Sequence, residues 1–434
     1  MRARIAGATL GLVFIAVIGC GSLLETWQQD TNREAYWRQD LKVFADTFTA
    51  NQLDFAKLYP RAEFEHALAA LSRRAAQTSD ADMTLDLMRL VASGHVAHTL
   101  VALPRPAEGF TRLPVGFHWY ADGLAIVVTT PEFRSALGAR VRRIGPKTPE
   151  RLLEDVAPYV SFETPMWLRV QSTAYFASVP VLRRLGVLDR DGQLRLALQK
   201  DGASFDIAIP PSKGEPPSAR VGLFDEAAGP VPLALRRPTR IYWHEYLPAF
   251  KAIYIQYAKC LEDPMHPFAE FTREVLDDID AHDVERVVLD IRTNSGGNSR
   301  VIAPLTAGLK ARPRLQSRIL VLIGPETFSS GQLAAWEFRR QFGATLIGES
   351  SGEALNSYGE VKLFTLPHSH VRVQYSTKYF RLGTDDMLEP KIRVAATIAD
   401  VLAGRDPVLD AALSKGPDGP SAADDLLPRA AIGR

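Results

Sequence analysis

Two strand-to-helix turns in the C-terminal half carry the residues best suited to chemistry. Val287-Val-Leu-Asp-Ile291 is an apolar run of the kind buried strands show, and Arg292-Thr-Asn-Ser-Gly-Gly-Asn298 turns it toward the next helix. Ile319-Leu-Val-Leu-Ile323 is a second such run, followed by Gly324-Pro-Glu-Thr-Phe-Ser-Ser-Gly331 and a helical pattern. In open α/β folds ligands bind off the carboxyl ends of the strands, where loops enter helix N-termini. Free N–H groups and the positive end of the helix suit an anion there, a transition-state oxyanion included. Gly296-Gly297 permits positive φ and close approach of a substrate. A serine nucleophile at Ser329-Ser330, with N–H donors from its own loop and from a Gly-Gly loop, is the layout that acyl transfer needs. The competing role for Ser329 and Ser330 is helix capping, which serines at helix starts commonly perform. Thr327 stands where an α/β-hydrolase serine elbow has Gly, so that motif is absent.

The elements that must position these turns follow from periodicity. From Arg33 to Gly94 the pattern is helical, with Trp37, Leu41, Phe44 and Phe48, then Phe64, Leu68 and Leu71, then Leu85, Met88 and Val91 at three-to-four spacing. From Arg112 to Pro211 the period shifts to two. Phe117–Tyr120 and Leu124–Val128 read as a hairpin around Asp122-Gly123, Ala139–Ile144 as a strand, and Thr148-Pro149 as the start of a helix. Leu194–Leu198 and Phe205–Ile209 form a second hairpin around Asp201-Gly202. That order resembles a divergent PDZ-like module. Beyond a Pro/Gly/Ala-rich stretch, strands and helices alternate, which predicts an α/β domain with right-handed crossovers. The expected division is a leader at 1–20, a helical domain at 21–110, a PDZ-like domain at 111–213 and a linker at 214–238. The α/β core then covers 239–415, and a frayed tail 416–434.

Composition narrows the function classes. The chain has 434 residues, 51 Lys+Arg against 50 Asp+Glu, and 46% apolar residues, an ordinary globular balance. No basic face points to nucleic acid. Two cysteines exclude a disulfide scaffold and a multi-cysteine zinc site. Met1-Arg2-Ala3-Arg4 followed by an uncharged stretch from Ile5 to Leu24 reads as an export signal. Val17-Ile18-Gly19-Cys20 resembles a bacterial lipobox, which implies a lipid on Cys20 and an envelope location; the alternative is an uncleaved anchoring helix. Cys260 is then an unpaired thiol in an apolar context, read as core filling.

The stretches Arg286–Asn298 and Thr327–Gly348 together resemble the C-terminal-processing (tail-specific) serine peptidase family, which includes the tricorn core. Its Asp-x-Arg-x-Asn-x-Gly-Gly strand end is matched by Asp290, Arg292, Asn294, Gly296 and Gly297, and its nucleophile turn by Phe328-Ser329-Ser330-Gly331. Gly348-Glu349, Asn356-Ser-Tyr-Gly-Glu360, Leu366-Pro367 and Ser376-Thr-Lys-Tyr-Phe380 also fit. The resemblance implies a crotonase/ClpP-like α/β peptidase core preceded by helical and PDZ-like domains, a polypeptide substrate and no cofactor. It implies Ser329 as nucleophile, with the amide of Ser330 and the Gly296/Gly297 loop as the oxyanion hole.

The family's common Ser–Lys dyad is not matched, because Leu355-Asn-Ser-Tyr-Gly359 holds no Lys. The tricorn-like branch instead takes a His from the end of its helical domain, and Leu90-Val-Ala-Ser-Gly-His95-Val-Ala-His98-Thr99 resembles that segment with His98 in the His position. A neutral imidazole can accept the serine proton near neutral pH. His95 is the rival, and Lys378 the fallback base. A carboxylate should orient the ring, with Glu360 favoured over Asp385 and Asp386. Two other readings stay open: a non-catalytic binder of peptides or hydrophobic ligands on the same scaffold, and a crotonase-type acyl-CoA enzyme, which the export signal disfavours. Asp189-Arg-Asp-Gly192 lacks the later ligands of a calcium loop and reads as a turn, and His244-Glu245 lacks the second metalloprotease His.

Overall fold

A computed structural model describes residues 32–104, 110–211, 220–225 and 229–414. The leader with Cys20 and the 416–434 tail lie outside the described residues. Among the described residues, no helix is long and apolar enough to cross a membrane.

The α/β expectation holds. A six-stranded sheet runs in the order Ile392–Arg393, Thr345–Gly348, Ile319–Ile323, Arg286–Asp290, Ala252–Tyr257, Tyr242–Leu247. All neighbours pair in parallel except the last, an antiparallel edge strand. Helices Phe268–Ala281, Ala303–Lys310 and Ser330–Phe342 make the crossovers between the parallel strands. The apolar strand runs have their reason in burial on both faces. Ile253, Ile255, Val287, Leu289, Val321 and Ile323 pack with the three crossover helices. Tyr254, Val288, Leu320 and Leu322 pack on the other side, against Val408, Leu409 and Ala412 of the Pro407–Ser414 helix.

Ahead of this core, Trp37, Leu41, Phe44 and Phe48 are all buried on one side of the Arg33–Asn51 helix, as their spacing predicts. The β-rich region is an antiparallel sheet in which Gly116–Tyr120, Gly123–Thr129, Arg140–Ile144, Leu194–Lys200 and Ala203–Ile209 follow one another in chain order. Thr148 caps the Pro149–Val156 helix by accepting the Arg151 N–H at 3.2 Å. Two further helices, Pro165–Tyr175 and Val179–Arg184, were not apparent from the alternating pattern.

Part of the stretch read as a linker is structured. Val221–Gly222 pairs with the Gly123–Thr129 strand, and Leu233 joins the core behind the six-stranded sheet. A larger departure concerns the hairpin Asn356–Thr365/Arg372–Arg381, which does not extend the core sheet. It crosses back to the N-terminal helices and pairs with Leu100–Val101. The buried Asp40 carboxylate accepts the N–H groups of His368 and Ser369 at 3.0 and 2.7 Å, Leu53 N–H donates to Ser376 at 3.1 Å, and the Tyr358 hydroxyl donates to Asp54 at 2.9 Å. Strand Leu100–Val101 directly follows His98-Thr99, so this hairpin fixes the segment that carries His98.

Candidate active site

Three neighbouring features build the turn at Ser329. Thr327 ties it to the end of the neighbouring Arg286–Asp290 strand: its hydroxyl donates to the Ile291 carbonyl at 2.9 Å and accepts the Gly324 N–H at 3.0 Å. The Phe328 N–H then donates to the Asn294 carbonyl at 3.0 Å, joining the two loops. Ser329 follows with φ 54° and ψ −127°, a backbone conformation that L residues rarely adopt and that costs about 1–3 kcal/mol. A capping serine has extended backbone and accepts an N–H from the next turn. Ser329 has neither property, for its side chain makes no cap hydrogen bond. Ser330 does not cap either: its hydroxyl donates to the Gly297 carbonyl at 2.7 Å and clamps the Gly-Gly loop. The capping role considered for both serines is therefore not what the geometry supports.

The opposing loop is fixed from behind. Asn294 is fully buried; its amide donates to the Tyr257 carbonyl at 2.8 Å, and its Oδ1 accepts the Gly296 N–H at 3.0 Å. The buried Cys260 thiol adds a second contact to the same Oδ1 at 3.3 Å, and Cys260 lies beyond its strand, bridged to Gly297. Gly296 and Gly297 have φ of 104° and 133°. A side chain at Gly296 would meet the Ser329 Cβ at 2.7 Å, and one at Gly297 the Cys260 carbonyl at 2.3 Å. Gly296 thus already spends its N–H inside the loop, whereas among the described residues no hydrogen bond engages the amides of Gly297 or Ser330. Those two are the free donors flanking Ser329.

Arg292 holds the base of the loop. Its guanidinium pairs with Asp290 at 2.6 Å and with Asp406 at 2.7 and 2.8 Å, and the Tyr254 hydroxyl donates to Asp290 at 2.7 Å. Although burial opposes its charge, the two carboxylates hold the Arg292 pKa far above the ordinary range. Arg292, Asp290 and Asn294, all motif positions, therefore shape the loop from beneath.

His98 is buried beside the nucleophile turn, its ring stacked on Phe328 with centroids 4.5 Å apart. Its Nδ1 lies 3.3 Å from Glu353 Oε1 without the alignment of a hydrogen bond. Burial lowers the His98 pKa to about 4, against which a backbone hydrogen bond with Tyr358 acts weakly. The imidazole is consequently neutral at pH 7. Glu353 links it to the serine: Oε2 accepts the Ser329 N–H at 2.5 Å and Oε1 accepts the Ser357 hydroxyl at 2.7 Å. Burial raises the Glu353 pKa to about 7, with those two hydrogen bonds opposing.

The structure separates the remaining candidates from this cluster. Glu360 is exposed, with its carboxylate 3.5 Å from Lys378, and the carboxylate beside His98 is Glu353 instead. Glu360 has φ 51° within its strand, one residue past Gly359, the position that faces the His98 ring. Lys378 is also exposed and lies over the Phe380 ring at 4.7 Å. His95 is exposed and meets Phe162 edge-on. Asp385 and Asp386 lie in an exposed loop. Glu353 went unread because it sits in an irregular turn; its one signal was the second Gly-Glu pair, Gly352-Glu353, just after Gly348-Glu349.

No family model and no curated protein matches the chain in sequence. Solved structures do match. Mature CPAF complexed with lactacystin aligns at TM-score 0.57 and 12% identity over 85% of this chain and 96% of that one. A CPAF mutant aligns at TM-score 0.58 with the same identity, over 85% and 95%. The photosystem II D1 C-terminal processing protease covers 88% of this chain at 13% identity, with a TM-score of only 0.40. The chain therefore shares the fold of CPAF along most of its length.

Proposed function

We propose that this protein is a serine-type peptidase that hydrolyses peptide bonds through an acyl-enzyme on Ser329. Ser329 attacks the carbonyl, neutral His98 takes its proton and returns it to the leaving amine, and water releases the acyl group. The free amides of Gly297 and Ser330, with Gly296 shaping the loop, stabilise the oxyanion. Glu353, in the role first given to Glu360, orients the His98 ring and balances the imidazolium. The observation that carries the reading is Ser329 held at φ 54° with no capping bond and free N–H donors on either side. Such strain persists only where the surroundings impose it, and it concentrates at functional sites. An internal, endopeptidase cut and an envelope location are part of the proposal. The location rests on the basic, apolar leader ending at Cys20, and loss of metabolic lipid labelling in Cys20→Ala is its test.

The decisive experiment is reaction of the purified protein with a fluorophosphonate, the adduct mapped by mass spectrometry. Adduct on Ser329, absent in Ser329→Ala and at least tenfold slower in His98→Ala, is the expected result. A wild-type protein that takes no adduct and cleaves no unfolded protein substrate would instead be a binding protein on the same scaffold.

A further inference from the structure

A short segment of the β-rich region, residues 163–167, reaches each part of this site. Glu163 Oε1 accepts the N–H of Ala97, the residue before His98, at 3.2 Å. Thr164 donates its hydroxyl to the carbonyl of Gly352, the residue before Glu353, at 2.5 Å. The Trp167 ring stacks on Phe328, next to Ser329, with centroids 3.9 Å apart and planes within 8°. The second oxygen of Glu163 is buried without a hydrogen-bond partner.

From this convergence we infer that Glu163 is a positioning residue, which with Thr164 beside it ties the backbone before His98 to the turn that carries Glu353. The inference rests on the peptidase reading for its functional meaning, but the grip itself is a property of the fold. The placement has a physical rationale. His98 arrives from the N-terminal helices and Glu353 from the turn after the core sheet, so no single element fixes their separation. A buried carboxyl on the Ala97 N–H, next to a hydroxyl on the Gly352 carbonyl, supplies that link, because the Ala97 amide would otherwise be left without a partner. Burial, and then repulsion from Glu353, raise the Glu163 pKa to about 8. The titratable groups packed around it are Glu353, His98 and the Tyr358 phenol, which itself bonds Asp54. Lys378, across from Gly359 in the hairpin, points its charge to Glu360 at the surface.

Glu163→Ala and Glu163→Gln separate this role from general support of the fold. Two readouts apply to the full-length protein: the rate of fluorophosphonate labelling at Ser329, and an NMR titration of the 15N-labelled His98 ring. In Glu163→Ala the labelling rate falls on the order of 10²-fold, the effect expected when a catalytic group is displaced by about 1 Å. Its His98 midpoint climbs from about 4 toward the ordinary 6.5 as water enters. Glu163→Gln keeps an oxygen for the Ala97 amide, so it labels within a few-fold of wild type and holds the low His98 midpoint. An unchanged His98 midpoint and unchanged labelling in Glu163→Ala would overturn the inference. If the wild type fails to label at all, the peptidase reading falls, and the His98 titration alone decides Glu163. An equal loss in Ala and Gln variants would also overturn it, because the loss would then follow the charge and not the grip.

Discussion

Gly296 faces Ser329 so closely that a methyl group added to the glycine would lie 2.7 Å from the serine Cβ and 3.1 Å from the Ser330 nitrogen. Gly296→Ala therefore moves either the Gly-Gly loop or the nucleophile turn, and it also asks an alanine to adopt φ 104°. The expected outcome is a fall in Ser329 labelling of roughly 10²–10³-fold, the range seen when one oxyanion donor is lost. The same variant unfolds at lower urea concentration, with a cost of about 1–3 kcal/mol for the backbone conformation.

Ser329 carries strain that glycine would relieve. Ser329→Gly is expected to abolish labelling while raising stability by about 1 kcal/mol, because glycine adopts positive φ without penalty. Ser329→Ala abolishes labelling with stability close to wild type. Equilibrium urea unfolding of the three proteins separates these cases, and a less stable Ser329→Gly would count against a strained turn.

The buried titratable groups predict how stability follows pH. The His98 pKa falls on folding, from 6.5 to about 4, so its contribution is whole above pH 6.5 and is lost as pH falls toward 4. Glu353 and Glu163 move the other way, from 4.5 to about 7 and about 8. Their contribution is whole below pH 4.5 and is lost as pH rises through 7 to 8. Stability from this cluster is thus expected to be greatest near pH 4 and to decline from there to pH 8, because the two carboxyls together outweigh the histidine. Glu353→Gln should flatten the alkaline decline while slowing labelling by roughly 10²–10⁴-fold, since His98 loses its carboxylate. Thermal unfolding from pH 4 to 9 tests the first part, and labelling rates at pH 7 the second.

Arg292 is held between Asp290 and Asp406 with little contact with water. Arg292→Met strands two buried carboxylates and is expected to cost about 3–5 kcal/mol, measured by chemical denaturation. Removing all three charges with Asp290→Asn and Asp406→Asn recovers much of that loss. The loop shape, and with it Ser329 labelling, should track the stability of the triad.

Lys378→Ala separates the histidine reading from a lysine one. With Lys378 at the surface beside Glu360, its removal is expected to leave the labelling rate within twofold of wild type and stability within about 0.5 kcal/mol. A rate loss approaching that of His98→Ala would return Lys378 to the site.

What could be read from the sequence was local. The turns around Gly296 and Ser329 are written by consecutive residues, and the strands before them by unbroken apolar runs that only a sheet covered on both faces requires. His98 was reachable through a short motif. Glu353 was not, because its meaning comes from meeting Ser329 and His98 in space, and nothing in its own turn has a period. Glu360 is apt by strand position, yet it is Gly359, one residue before it, that faces the His98 ring, while Glu360 is exposed. The hairpin Asn356–Thr365/Arg372–Arg381 alternates like any other, and alternation cannot say which sheet a strand joins. Its partners, Asp40 and Leu100–Val101, lie at the opposite end of the chain.

That hairpin sets an order of events. The chain lays down the helices first, crosses most of the α/β core, returns to the helices through the hairpin, and only then adds the Ile392–Arg393 strand and Asp406 beneath Arg292. Contacts so far apart in sequence form late and slowly. A growing chain that has already made Ser329 lacks both the carboxylate at Glu353 and the hairpin that pins the His98 segment. Ser329 therefore acquires the neighbours that the peptidase reading requires only when the polypeptide is nearly finished, and on that reading the topology itself acts as a timer.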